Sequence, residues 1–317
     1  MSNLNFGLSL IEKYCTYATN VIEAFVNKVN QEPPIPELMH YTNDIGLAGI
    51  IESKKLRFTD VFDVNDPSEI KHGFSHAIQI LNRLAIGGAP LVVQFAERFE
   101  ALYKDQLDKT AHYYICSFSK VTDDLGQWRS YADDVRGYAL VFDGKVIEDH
   151  FAHHAPSAKD HNSTFSMHYN DKEISEIQSN LITSMFNLIS FPLKNQLTED
   201  QFNIYMKTLS RELSARLLHI SLFFKHEAYK HEDEFRFLQI YRGDIPAPDT
   251  KLRPRKYEIV EYKEFDWSEV KSKALKKIII GPAADVSKAT IFAKYYLDKS
   301  GIEGVAIETS NIPYRSF

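Results

Sequence analysis

Leu38-Met39-His40-Tyr41-Thr42, then Asn43-Asp44, then Ile45-Gly46-Leu47-Ala48-Gly49-Ile50-Ile51-Glu52, and finally Leu56-Arg57-Phe58-Thr59 run almost without spacers. The first segment is apolar and β-prone up to Thr42 and reads as a short strand. Asp44 can cap a helix over Ile45–Glu52, and Leu56–Thr59 reads as a second short strand. A strand, a helix and a strand joined this tightly place the chain in the α+β class. Upstream, Leu8, Ile11, Cys15, Ala18, Ile22, Phe25 and Val29 recur at helical spacing, and Pro33, Pro34 and Pro36 stop that helix. Residues 1–36 therefore read as an N-terminal helix with a Pro-rich linker, and 37–317 as one α+β domain.

Downstream, Asn65-Asp66-Pro67-Ser68-Glu69 is a helix-start pattern, and its helix should run to about Leu84. A second helix follows Gly87-Gly88-Ala89-Pro90 and reaches Leu107. Tyr113–Ser119 and Gly137–Phe142 are buried strands, with a polar turn and short helix from Gly126 between them. Residues 147–171 are polar and His-rich and read as an exposed loop. Helices are expected over Lys172–Ile189 and Glu199–Phe223, the second opened by a Thr198-x-x-Gln201 capping box. These helices make 146–221 a helical insertion. Phe235–Tyr241, Tyr257–Tyr262, Lys277–Gly281 and Gly304–Glu308 are strands, with a helix over Asp285–Ser300. The elements sum to a mixed sheet of about seven strands.

The bulk composition removes several function classes. At 44% hydrophobic and 25% charged, the chain is neither disordered nor fibrous in type. A formal charge of −6 gives no global attraction to phosphate backbones or anionic lipid. The two cysteines, Cys15 and Cys116, are far apart, which argues against a disulfide framework and for a reducing cytoplasm. No run reaches the ~20 apolar residues that span a bilayer, so no membrane partner is expected. No Gly-x-Gly-x-x-Gly follows a strand and no Walker loop is present.

Five motifs carry side chains suited to chemistry. His40-Tyr41-Thr42 ends the first strand, where ring nitrogens and hydroxyls can meet a ligand or simply brace the following helix. Ser117 and Ser119 share one strand face, Cys116 and Phe118 the other. Gln127-Trp128-Arg129-Ser130-Tyr131-Ala132 offers flat rings for stacking and a guanidinium fork for phosphate, although Trp128 itself fits a core anchor better than a ligand platform. Glu232-Asp233-Glu234-Phe235-Arg236-Phe237 leads acids directly into a buried strand, which is costly unless Arg236 or Lys225 pairs with them. Arg315, in the closing Ile312-Pro313-Tyr314-Arg315, can bind an acid or an anion. The histidines His150, His153, His154, His161 and His168, and the pair His72/His76, lack His-Glu-x-x-His or paired cysteines, so no metal is expected.

Taken together, His40–Thr42, Asn65–Glu69, Ser117–Ser119, Gln127–Ala132, Glu232–Arg236 and Ile312–Arg315 resemble the ordered motifs of a large bacterial family of unknown function. That likeness covers about 37–145 and 222–317. More distantly, the order of His40, Ser117/Ser119 and Glu232/Glu234 is similar to the ADP-ribosyltransferase fold. The resemblance implies a split, mostly antiparallel sheet and NAD as substrate. It implies that His40 holds a ribose hydroxyl and that Trp128 or Tyr131 stacks on nicotinamide. Glu234 would stabilise the oxocarbenium ion, Glu232 would steer the acceptor, and Arg57 or Arg129 would meet the pyrophosphate. Tyr41, Thr42, Ser117 and Ser119 would complete the nucleotide site. A toxin or phage-defence role would suit such an enzyme, while no motif identifies the acceptor macromolecule or sets an oligomeric state. The alternative is a non-catalytic nucleotide-sensing module using the same pocket. A magnesium-dependent hydrolase is weaker, since Glu232, Asp233 and Glu234 alternate faces and at most two could share a metal.

Overall fold

The computed structural model describes residues 3–29, 33–64, 68–86, 92–99, 111–154, 161–189, 197–242, 247, 249–255 and 257–314. Chain order runs α1 (Asn3–Val29), β1 (Glu37–Thr42), α2 (Asp44–Ser53), β2 (Lys55–Asp60), α3 (Ser68–Ala85), β3 (Ala111–Ser119), α4 (Leu125–Tyr131), β4 (Tyr138–Asp143), α5 (Gly144–His153) and β5 (His161–Ser166). It continues with α6 (Asp171–Ile189), α7 (Glu199–Ser221), β6 (Glu234–Arg242), β7 (Lys251–Arg255), β8 (Glu258–Asp266), β9 (Leu275–Ile280), α8 (Val286–Ser300) and β10 (Ala306–Thr309). Residues 92–99 are also helical. The expected cap at 65–67, the helix beyond residue 99 and Arg315 lie outside the described residues.

The local chemistry explains the element ends. α2 is capped by Asn43, not Asp44 as the sequence suggests: its Oδ1 accepts from the Gly46 N–H at 2.8 Å. Gly46 is required there, because a Cβ would run into the Thr42 hydroxyl. Thr198 and Gln201 form the expected reciprocal capping box on α7.

Among the described residues one sheet of ten strands, not about seven, orders the chain as β10-β9-β4-β1-β3-β2-β8-β7, with β6 on β3 and β5 on β6. Every pairing is antiparallel except β10 with β9. Beyond the eight segments read as strands from the sequence, the added ones are β5 and β7. β5 (HNSTFS) is too polar to announce itself, and it survives as an edge strand because it pairs with the apolar β6 from His161↔Ile240 to Ser166↔Phe235. β7 contains Pro254, which an edge strand tolerates because it need not donate on both sides. The stretch read as a polar loop over 147–171 is therefore corrected: it holds the end of α5, whose Ile147, His150 and Phe151 are buried, and β5.

β3 is the strand that shapes the molecule. β6 pairs with it along its whole length, from Ala111↔Arg242 to Ser119↔Glu234. Its other edge is shared: β1 meets it only at Met39↔Ser119, and β2 only at Thr59↔Ile115 and Asp60↔Tyr114. Between those contacts β1 and β2 diverge, and the sheet opens over residues 116–118.

Helices cover both faces. α1, α3, α6 and α7 bury Tyr14, Phe74, Leu181 and Leu213 against Ile115, Leu238 and Ile240. On the opposite face α2, α5 and α8 bury Ile51, Phe151 and Ala293 with Phe118, Phe142 and Phe237. The alternation of β3 and β6 thus feeds two cores while keeping Ser117, Glu234 and Arg236 for the gap between β1 and β2. No helix among the described residues is long and apolar enough to cross a membrane.

Candidate functional site

The opening between β1 and β2 is a cleft of about 260 Å³. His40 and Tyr41 line it from β1, Arg57 and Thr59 from β2, Ser117 from β3, and Glu234 and Arg236 from β6. A larger hollow of about 650 Å³ lies between α1 and α7; of its charged residues, Arg211, Glu212 and Arg216 pair within α7, and Glu23 comes from α1. Convergent charge from separate strands distinguishes the sheet cleft.

β3 leaves the Ser117 carbonyl without a strand partner where β1 departs. The His40 ring replaces that partner, with Nδ1 3.1 Å from the Ser117 oxygen. A carbonyl only accepts, so Nδ1 carries the proton and Nε2 is left as an acceptor. Burial lowers the His40 pKa against the opposing effect of that hydrogen bond, so the ring is neutral near pH 7. His40 is therefore a brace for the split that leaves Nε2 as an acceptor in the cleft.

The floor is a buried ion cluster. Lys225, delivered by the turn after α7, places Nζ 2.6 Å from Glu232 Oε2 and 3.0 Å from Glu234 Oε2. Arg236 donates through Nε at 2.8 Å to Glu234 Oε1, and its Nη2 lies 2.7 Å from the same oxygen. Ser117 Oγ adds a third donor at 2.6 Å. Burial alone would raise the Glu234 carboxyl, but Arg236, Lys225 and Ser117 together outweigh it and hold the group at about 2. The stability this carboxylate contributes is complete above about pH 4.5 and is lost as pH falls towards about pH 2. Denaturant midpoints should therefore drop across that window in the wild type and stay flatter in Glu234→Gln; parallel curves would refute the assignment.

Glu232 ends a 3₁₀ turn, Glu227–Glu232, and Asp233 turns the chain into β6 with φ 40°. Aspartate is among the residues that tolerate this region, and Lys120 pins it: the Lys120 N–H donates to its carbonyl at 3.0 Å, and Nζ lies 2.9 Å from its carboxylate. Glu232 Oε1 accepts from the Tyr131 hydroxyl at 3.1 Å, which brings α4 over the cleft. Ser119 donates to the Glu232 carbonyl at 2.8 Å. Tyr169 accepts from the Glu234 N–H at 3.0 Å and fixes the strand start.

Several expected ligand contacts are corrected. Trp128 is fully buried, edge-on to Tyr41 at 5.0 Å, and donates Nε1–H to Asp123 at 2.8 Å, so its ring cannot stack on a ligand. Tyr41 lines the cleft, but its hydroxyl is spent on the Val121 carbonyl and the Asp124 N–H. Thr42 packs under the first turn of α2, and Arg129 lies over the Tyr314 ring, 5.8 Å from its centre; neither lines the cleft. Tyr131, 40% exposed, lines the cleft, as does Tyr229. Sequence reading missed Gln127, Tyr229, Arg253 and Arg255 as lining residues. For the arginines a signal existed, since Lys251, Arg253 and Arg255 alternate at strand spacing.

Five cationic side chains, Arg57, Lys225, Arg236, Arg253 and Arg255, face two carboxylates in this cleft. The site is cationic although the chain is acidic, and it suits an anionic ligand.

Residues 127–237 match the family model described as Protein of unknown function (DUF2971). That stretch supports an uncharacterised domain family and contains α4, Lys225 and the Glu232–Arg236 segment. The DUF2971 match also runs through 146–221, the part read from sequence as an insertion. No curated protein and no solved structure matches the chain.

Proposed function

We propose that the chain is an ADP-ribosyltransferase-like enzyme that cleaves NAD in the sheet cleft and transfers ADP-ribose to an acceptor. The observation that supports it is the convergence of His40, Ser117 and Glu234, from three strands, at the opening between β1 and β2. In this reading His40 Nε2 accepts from a ribose hydroxyl, and Tyr131 stacks on the nicotinamide. Glu234, kept ionised, accepts the 2′-hydroxyl and stabilises positive charge at C1′. The bond between C1′ and the nicotinamide nitrogen breaks, and nicotinamide leaves with the electron pair. The acceptor attacks C1′ and gives its proton to Glu232, beside Glu234 in the floor.

One observation favours a second reading. Glu234 is already bonded to Lys225, Arg236 and Ser117, so much of its charge is spent within the protein. A pocket with that floor can hold a nucleotide without breaking it, as a sensing module does. NAD consumption separates the two. Wild type should turn NAD over, and Glu234→Gln should lose at least about 100-fold. Equal turnover would sink the catalytic role, and thermal stabilisation by NAD without turnover would establish the sensing module.

A further inference from the structure

Away from the cleft, α5 and the end of β8 bring three metal-ligand side chains together. A ring nitrogen of His150, one of His154 and a carboxylate oxygen of Glu269 lie within 4.8 Å of one another. None of the three lines the cleft. His150 and His154 share one face at the C-terminal end of α5, with ring centres 4.1 Å apart. Glu269 comes from the 3₁₀ turn Ser268–Val270 that follows β8, far along the chain from both histidines. Its neighbours hold that turn in place. Asp266 Oδ1 accepts from the Ser268 N–H at 2.8 Å. Trp267 is fully buried, packs edge-on to Phe142 and donates its backbone N–H to the Lys54 carbonyl at 3.0 Å.

The other bonds of the two rings decide what the cluster can do. His150 Nε2 lies 3.0 Å from the Asp266 carbonyl oxygen, and His154 Nδ1 lies 2.7 Å from the His150 carbonyl oxygen. Carbonyls only accept, so those two nitrogens carry the protons. In the neutral rings His150 Nδ1 and His154 Nε2 are then left with lone pairs for a metal. An imidazole whose other N–H is fixed by a carbonyl is the usual state of a metal-bound histidine. His154 Nε2 stands 3.9 Å from Glu269 Oε2, too far for a hydrogen bond. Ligand atoms around a zinc ion are about 3.4 Å apart, and rotation of the exposed Glu269 side chain closes the difference. We infer that His150, His154 and Glu269 form a zinc site, with water at the fourth position. Two imidazoles with a single carboxylate favour such an ion over magnesium or calcium, which take oxygen ligands. The histidines lack a third ligand in their own segment, so the sequence pattern alone points to no metal; folding of β8 beside α5 supplies it. Bound zinc clips the turn after β8 to α5, whether or not the cleft breaks NAD.

Isothermal titration of the chelator-treated full chain with zinc chloride and with magnesium chloride tests it, together with thermal melts. Wild type should bind zinc saturably, bind magnesium far more weakly, and melt at a higher temperature with zinc than without. His154→Gln and Glu269→Gln should each weaken zinc by at least about tenfold and remove that thermal shift. Both side chains are exposed, so the metal-free melting temperatures should match wild type. Where His154→Gln lowers its metal-free value, Glu269→Gln decides alone. His153→Gln is the control: its ring is bonded to the Asp149 carbonyl beside the cluster, and it should bind zinc as wild type does. No saturable zinc binding by wild type, magnesium binding as tightly as zinc, or full zinc affinity in Glu269→Gln would overturn the inference. So would a loss in His153→Gln equal to that in His154→Gln.

Discussion

Lys225→Met is expected to destabilise the fold by about 3–5 kcal/mol at neutral pH, the cost of stranding buried partners of a lost charge. Lys225 is 5% exposed and bridges both glutamates, so methionine keeps the volume and removes the one cation that Glu232 and Glu234 share. Arg236 still balances Glu234, which leaves one negative charge uncompensated in the floor. The pH dependence identifies the cause. A carboxyl in the variant that binds its proton more tightly when folded than when unfolded makes stability rise as pH falls. The deficit should thus shrink from neutral pH to about pH 5, opposite in direction to the acid loss that Glu234 imposes on the wild type. Denaturant melts of both proteins at the two pH values measure it, and a deficit independent of pH would show that Lys225 acts by packing alone.

Trp128→Ala should cost about 3–5 kcal/mol, in the range for emptying a large aromatic site. Its ring fills a core of Met39, Tyr41, Val135, Ala139, Val141 and Ile279, and its N–H reaches Asp123. Asp123 also receives the Asn311 N–H at 2.7 Å and the Ser310 hydroxyl, so the C-terminal tail should loosen with the same change. Trp128→Phe keeps most of the packing and drops only the hydrogen bond, at about 1 kcal/mol. Denaturant melts give both values, and nucleotide titration of the folded variants should show unchanged affinity. A tenfold loss of affinity with intact stability would return Trp128 to the ligand site.

The contrast between these two residues shows where sequence reading works. Acids that lead into an apolar strand must be compensated, whatever the fold, so Glu232 and Glu234 and their partners Lys225 and Arg236 were legible from burial cost alone. Trp128 was legible only in part: its residue type favours the core, but the resemblance puts it on the ligand, and an aromatic next to an arginine looks the same in either place. Only the pairing of Asp123 with the indole N–H decides it. The compact β1-α2-β2 start was legible because period and caps agree, to within the shift of the cap from Asp44 to Asn43. β5 and β7 were hidden because their partners, β6 and β8, are what make them strands. Their own residues are polar or interrupted by proline.

Sharing one edge of β3 between β1 and β2 has a consequence for when the site comes into being. β2 finds its other neighbour, β8, only about two hundred residues later, through pairs such as Arg57↔Glu264. Lys225, Glu234 and Arg253 are likewise made long after His40. A ribosome-bound chain that has not yet released β7 and β8 has β2 without its outer neighbour, and the cleft lacks Arg253 and Arg255. The cleft is therefore complete only late in synthesis, when β7 and β8 join the sheet.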